Sequence, residues 1–299
     1  MIKAENITKT FGKKIAINST SFTVKAGSLC GIVGSNGAGK STLLRMLAGV
    51  YKPDTGSITY GGKPIWDNPE VKEKTVFVSD EPYLPAIQSI KSMASMYKAA
   101  YKDFNTERLK ELCGSLNLDM KASFNSFSKG MRRQAATILA LSAMPDYLLL
   151  DETFDGLDSV MRSFVKQLIY EDMASRGTTV ILTSHSLREL EDCSDGLMLL
   201  HRGGVVLYSE LQGLKDTFFK VQIAFEEDCD KDRFKGLEIQ GFTKTGKVAS
   251  FILKGSREEG EAKLKAMNPV LLDILPLTLD EVFVSSLSAL GYNFDGISL

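Results

Sequence analysis

Leu29-Cys30-Gly31-Ile32-Val33-Gly34-Ser35-Asn36-Gly37-Ala38-Gly39-Lys40-Ser41-Thr42 is the stretch that decides the fold. Its first five residues are a nearly continuous apolar run, which suits a strand buried on both faces. The next nine match G-x-x-x-x-G-K-[ST]. Glycines at Gly34, Gly37 and Gly39 let backbone N–H groups turn inward toward phosphate oxygens with no Cβ in the way. Leu43, Leu44, Met46 and Leu47 follow at helical spacing, and Gly49 marks the stop. A helix opening near Lys40 aims its partial positive end at the same anion. Lys40 then places a compact cation on the β/γ-phosphates, Ser41 offers a hydroxyl to Mg²⁺, and Thr42 faces the α-phosphate side. Ser35, Asn36 and Ala38 complete the loop.

A second element lies over a hundred residues downstream. Tyr147-Leu148-Leu149-Leu150 is a buried strand, and Asp151 and Glu152 stand at its carboxyl end, where ligands sit in open α/β sheets. Asp151 is placed to hold Mg²⁺, and Glu152 to orient or deprotonate an attacking water. Strands often end in acids, so this pair gains its meaning from the phosphate loop before it.

Outward from these two elements, the first 27 residues alternate apolar and polar, predicting antiparallel strands around a turn at Phe11-Gly12-Lys13-Lys14. Residues 57–65 predict a hairpin turning at Gly61-Gly62, and 76–78 another buried strand. From 87 to 120 the pattern is helical. Ile90, Met93, Met96 and Tyr97 form one face, and Leu109, Leu112, Cys113 and Leu116 another. A helix over 160–173, a strand over 179–183, a short helix over 187–193 and a hairpin around Gly203-Gly204 complete this part. The texture changes near residue 212. Strands are expected at 218–225, 237–242 and 248–253, a helix at 257–267, and a final helix opened by the capping box of Thr278 and Glu281.

The chain has 299 residues, 43% hydrophobic and 24% charged, with a formal net charge of -1. Nothing in that balance holds a nucleic-acid backbone by charge alone. Cys30, Cys113, Cys193 and Cys229 are far apart and form no CxxC pair, so reduced cysteines and a cytoplasmic setting are expected. The first residues carry no apolar signal segment, and no apolar run approaches the ~20 residues needed to cross a bilayer. Any membrane crossing is therefore expected from another chain.

Taken together with further motifs, the chain resembles the ABC ATPases over residues 1 to about 210. Ser128-Lys129-Gly130-Met131-Arg132 is similar to their signature loop, and Gly156-Leu157-Asp158 to their D-loop. His185 resembles the switch histidine, and Phe11 stands where an aromatic residue stacks on adenine. The resemblance implies an α/β P-loop NTPase fold: a cassette over residues 1–212 with a mixed sheet core, an antiparallel flank and a helical subdomain at about 83–140. A small C-terminal α/β domain would occupy residues 213–299, with an accessory or regulatory role. It implies ATP and Mg²⁺ as ligands, with Ser128, Gly130 and Asp158 meeting nucleotide across a pair of cassettes. His185 would bond the γ-phosphate beside the water of Glu152. Partners would be a second cassette and separate transmembrane permease subunits at the inner face of the cell membrane, with no nucleic acid.

Several residues depart from that pattern. Asp80 stands where the family usually has Gln after the 76–78 strand. An ionised Asp accepts hydrogen bonds and cannot donate them, yet it can bind Mg²⁺ or water, so hydrolysis with an altered metal preference or coupling is expected. Lys129 and Met131 replace Gly and Gln, and Thr153 replaces Pro. These variants resemble bacterial export-type cassettes. Tyr83, Met93, Met96 and Tyr97 offer adaptable apolar surface, either subdomain core or a grip for a permease helix. Arg132-Arg133 reads as solvated or locally packed, and His201 as structural. The alternatives are a non-transport ABC ATPase, disfavoured by the lack of coiled-coil or zinc inserts and by a single phosphate loop, and a nucleotide-dependent regulatory module.

Overall fold

The computed structural model describes residues 1–210, 218–275, 277, 278 and 281. In chain order the elements are β1 (Ile2–Phe11), β2 (Lys14–Val24), β3 (Leu29–Val33), α1 (Lys40–Leu47), β4 (Thr55–Tyr60), β5 (Lys63–Pro64), α2 (Pro69–Glu73), β6 (Thr75–Val78), α3 (Ile90–Ala100), α4 (Thr106–Ser115), α5 (Lys129–Ser142), β7 (Tyr147–Asp151), α6 (Ser159–Arg176), β8 (Thr179–Ser184), α7 (Leu187–Glu191), β9 (Gly196–His201) and β10 (Gly204–Glu210). Then follow β11 (Phe218–Ala224), β12 (Ile239–Thr245), β13 (Val248–Lys254), α8 (Arg257–Lys265) and β14 (Leu271–Leu275). The chain divides into two compact units, Met1–Tyr208 and Ser209–Leu299.

In the first unit a six-stranded sheet runs β10-β9-β3-β8-β7-β6, with β9, β3, β8, β7 and β6 parallel along their ladders. Every residue of β3 and of β8 is buried, as expected of parallel strands covered on both faces. Four segments leave the carboxyl ends of neighbouring strands β3, β8, β7 and β6. Those ends carry the phosphate loop, His185, the Asp151-Glu152 pair and Asp80. A second sheet, β2-β1-β4-β5, is the antiparallel flank. The two sheets enclose α1, whose Leu43, Leu44, Met46 and Leu47 are fully buried among Ile2, Ile17, Ile32 and Met198. Each such side chain contributes about 1.5–3 kcal/mol over leaving it in water.

Helices α3, α4 and α5 make the helical arm. Ser89, Asn105 and Ser128 cap their N-termini through side-chain oxygens, which satisfies donors that a helix start leaves open. Asp172 of α6 ties the arm down. It is buried between Arg108 at 2.7 Å and Arg176 at 2.9 Å. Met96 departs from the expected apolar face: it is 60% exposed while Ile90 and Met93 are buried.

The second unit is a four-stranded antiparallel sheet in the order β12-β13-β11-β14, with α8 after β13. Phe219, Val221, Ile223, Phe234, Phe251 and Leu253 form its core, with the Phe234 and Phe251 rings 4.7 Å apart. The fourth strand, β14, did not show in the hydrophobic pattern. It pairs in register with β11 from Lys220↔Leu275 to Ala224↔Leu271. At the expected capping box, Thr278 N donates to Glu281 Oε2 at 3.1 Å and Glu281 N donates to Thr278 Oγ1 at 3.3 Å. The helix expected to follow lies outside the described residues. All four cysteines are buried and unpaired, and burial pushes the Cys30 thiol up to about 12.

Candidate functional site

The phosphate loop is wedged into the first unit by close backbone contacts. A Cβ on Gly34 would lie 2.3 Å from the Leu200 carbonyl oxygen, and one on Gly39 would lie 2.6 Å from that of Ala16. Neither position accepts a larger residue. Gly39 also has φ 110°, the left-handed region that glycine tolerates. It precedes α1 with no side-chain cap, so the first amides of that helix remain available to an anion. Gly203 N donates to Ala38 O at 2.8 Å, pinning the loop from the β9–β10 turn. A cavity of about 340 Å³ lies over this helix start, lined by Lys14, Ala16, Asn36, Gly37, Gly39, Lys40, Ser41, Thr42, Asp80 and Glu152. Lys14 and Ala16 are lining residues that no motif marked. Gly34, Ser35 and Ala38 do not line the cavity.

Lys40 is 5% exposed; its Nζ donates to Gly34 O at 2.8 Å and lies 3.4 Å from Glu152 Oε1. The structure thus joins the loop to the carboxylate pair. Asp151 is fully buried. Its Oδ1 accepts from Thr183 Oγ1 at 2.7 Å, while its Oδ2 is buried and no hydrogen bond of ordinary length reaches it. Burial raises the Asp151 carboxyl above its usual value. The Thr183 and Ser41 hydroxyls draw it partly back, and the charges of Asp80 and Glu152 raise it further. A buried carboxylate oxygen without a donor, beside a serine hydroxyl and two more carboxylates, is what a hard divalent cation would satisfy. The residues present therefore fit magnesium.

Thr183 joins the candidate site without having been marked by any motif. Its hydroxyl accepts the Glu152 N–H at 2.9 Å while donating to Asp151. One side chain so orients both acids. Glu152 itself has φ 46°, a conformation rarely adopted by a residue with a Cβ and one that clusters at functional sites.

The remaining expected residues divide. Asp80 lines the cavity, with Oδ1 3.8 Å from Arg45 Nη2. His185 lines neither cavity but stands beside Glu152 and Asp155: its Nδ1 is 3.4 Å from Asp155 Oδ2, and ligand atoms of Glu152, Asp155 and His185 lie within 4.8 Å of one another. Gly130 sits against the Gly156 carbonyl and lines an adjoining cavity with Lys129, Arg133, Glu152 and Asp155. Ser128 and Asp158 line neither cavity. Their side chains cap α5 and α6, accepting from Met131 N and Met161 N. Phe11 is also outside the cavity lining. Its ring is 45% exposed and meets Tyr51 edge-on at 5.4 Å. Of the arginine pair, Arg133 is packed: 7% exposed, it donates to the carbonyls of Asp155 and Asp80.

The chain resembles known proteins over most of its length. The family model for ABC transporters matches residues 17–155. The chain is 27% identical over 285 residues to the ABC transporter ATP-binding protein YtrB of Bacillus subtilis, covering 95% of this chain and 97% of that one. It is 33% identical over 213 residues to the Nod factor export ATP-binding protein I of a Rhizobium species, covering 68% of each. Among solved structures, a dimeric post-hydrolysis state of the ATP-binding cassette MJ0796 with ADP and Pi superposes with a TM-score of 0.64. It is 22% identical, over 71% of this chain and 99% of that one, and so speaks to the fold. On the phosphate loop, the acid pair at the neighbouring strand end and these relatives, the chain belongs to the ABC transporter ATP-binding proteins.

Proposed function

We propose that this chain hydrolyses ATP where two cassettes close on each other, and that the cycle drives export through separate membrane subunits. The observation that supports it most directly is the approach of Lys40 Nζ to Glu152 within 3.4 Å beside the bare, buried Oδ2 of Asp151. Lys40 and the uncapped amides of α1 bind the β- and γ-phosphates. Ser41 and Asp151, with Asp80 nearby, would hold magnesium, which supplies charge neutralisation on the transferring phosphoryl group. Glu152, fixed by Thr183 through its backbone amide, orients the attacking water and accepts its proton. His185 faces the γ-phosphate from the end of β8. Catalysis is then mainly positioning and charge stabilisation.

Phe11 stacks on adenine, and Ser128, Gly130 and Asp158 meet the nucleotide of a facing cassette. A dimeric relative supports the pairing, and the Nod factor export relative supports the direction of transport. No helix among the described residues is long and apolar enough to cross a membrane; the reading assigns that path to a permease at the inner face of the cell membrane. The cassette work belongs to residues 1–212, and residues 213–299 serve dimer contact or regulation.

The test is a magnesium-dependent ATPase assay of the wild type, Glu152→Gln and Lys40→Ala. We expect loss of about 10²-fold or more for Glu152→Gln, in line with removal of a general base, and weakened nucleotide binding for Lys40→Ala. A wild-type rate equal to that of Glu152→Gln would leave a nucleotide-sensing module instead. Failure to co-purify with any multi-span membrane protein would remove the transport assignment.

A further inference from the structure

Asp155 lies in the turn between Glu152 and Gly156, outside the residues that the motifs single out. Its amide donates to Glu152 O at 3.1 Å, closing the turn. Its carbonyl accepts from Arg133 Nη1, and Nη2 of the same guanidinium donates to the Asp80 carbonyl. A buried guanidinium from α5 therefore grips the turns after β7 and β6 together, which fixes the main chain of Asp155. The side chain of Asp155 then reaches His185, with Oδ2 3.4 Å from Nδ1. His185 is 58% exposed. An imidazole so exposed on a loop would otherwise sample several rotamers, whose loss on binding opposes association.

We propose that Asp155 is a positioning residue for His185: it accepts the Nδ1–H, sets the ring's orientation and tautomer, and leaves Nε2 as the nitrogen that meets the terminal phosphate. This deepens the ATPase reading and rests on it. The tautomer of a histidine is set by the hydrogen bond its other nitrogen makes. With the proton on Nδ1, a neutral ring presents only a lone pair at Nε2, which repels a phosphate oxygen. Donation to the phosphate then requires a proton from solvent on Nε2. The resulting imidazolium donates from Nδ1 to Asp155 and from Nε2 to the phosphate. Lys129 and Arg133 line the cavity that Glu152 and Asp155 share. Glu152, from the same turn as Asp155, is met by Lys40 of α1. Glu189 of α7 takes a hydrogen bond from Ser184 at 2.8 Å and pairs with Arg162 of α6 at 2.7 Å. A ring that holds both Asp155 and a phosphate therefore carries a proton on each nitrogen.

The chain has two histidines, so imidazole ¹⁵N NMR of the full chain resolves them, and a His201→Gln variant assigns the pair. At about pH 8, above the ordinary histidine value of about 6.5, the wild type should show His185 protonated on Nδ1. Asp155→Ala should revert to the Nε2-protonated form that a free imidazole favours, and Asp155→Asn, whose amide oxygen still accepts, should keep the proton on Nδ1. Adding magnesium with a non-hydrolysable ATP analogue should convert wild-type His185 to the doubly protonated ring. In turnover, Asp155→Ala should lower kcat about tenfold, as loss of a histidine-orienting carboxylate does elsewhere, with the KM for ATP nearly unchanged, while Asp155→Asn recovers most of the rate. An Nε2-protonated His185 in the wild type overturns the inference whatever the ATPase rate. A wild type with the Nδ1 proton and no hydrolysis overturns the ATPase reading and leaves the Asp155–His185 pairing standing.

Discussion

Replacing Thr183 by Val keeps the shape of a side chain that is 1% exposed and deletes one oxygen. That oxygen donates to Asp151 Oδ1 and accepts the Glu152 amide. A hydrogen bond to an ionised group contributes about 1.5–3 kcal/mol, and a buried N–H left without a partner costs about 1–3 kcal/mol. The new methyl group gives back about 0.8 kcal/mol in burial. The net loss is about 3 kcal/mol. For a unit the size of Met1–Tyr208, this lowers the melting temperature by roughly 6–12 °C. The control is Thr183→Ser, which keeps the hydroxyl and loses only a methyl. Calorimetric melting of the three proteins, with ATPase rates alongside, is the assay. Thr183→Val should melt below Thr183→Ser and turn over more slowly, because Glu152 loses the bond that holds its backbone. If Thr183→Val melts at or above Thr183→Ser, the hydroxyl does not bridge the two acids and the reasoning fails.

Three more outcomes are expected. Gly34→Ala would drive a methyl toward the Leu200 carbonyl at 2.3 Å; overpacking of this kind costs about 1–3 kcal/mol, and nucleotide affinity measured by calorimetry should fall with it, so an unchanged affinity would contradict the wedged loop. Asp151, raised chiefly by burial, holds its proton in the folded state at pH values where the unfolded chain has released it. Its contribution to stability therefore declines as pH rises from about 3.9 through the raised value. Asp151→Asn should flatten that slope, added magnesium should restore stability most on the alkaline side, and a slope unaltered by Asp151→Asn would remove the assignment. Asp80→Gln removes one of three neighbouring carboxylates and the partner of Arg45; the ratio of ATPase rates in magnesium and manganese should change, and identical rates and ratios would show that Asp80 has no part in metal choice.

The phosphate loop was legible in the sequence because its chemistry is local: nine consecutive residues carry the turn, the amides and the cation. The strand bearing Asp151 and Glu152 was legible for the same reason. Thr183 was not, because it meets Asp151 through the parallel register of β7 and β8, where the two are Cα partners. Nothing in either strand alone announces that pairing. Arg133 looked like half of a charged pair, and its role appeared only when α5 was seen to lie against the turns after β6 and β7. β14 escaped because Leu271, 39% exposed, shares the more exposed face with Asp273, so that apolar and polar residues do not alternate along it. Met96 shows the limit of helical spacing: it shares a face with Ile90 and Met93 in the pattern, yet it is 60% exposed, which the spacing alone does not tell.

The contacts that wedge the nucleotide loop have a kinetic consequence. Ala38 is pinned by Gly203, and Gly34 and Gly39 leave no room for a side chain against the Leu200 and Ala16 carbonyls. The cradle is thus preorganised before any phosphate arrives, and the entropy of ordering a loop is not charged against affinity. Encounter with nucleotide is then limited by diffusion and charge rather than by folding of the receptor, and selectivity must express itself in the departure rate.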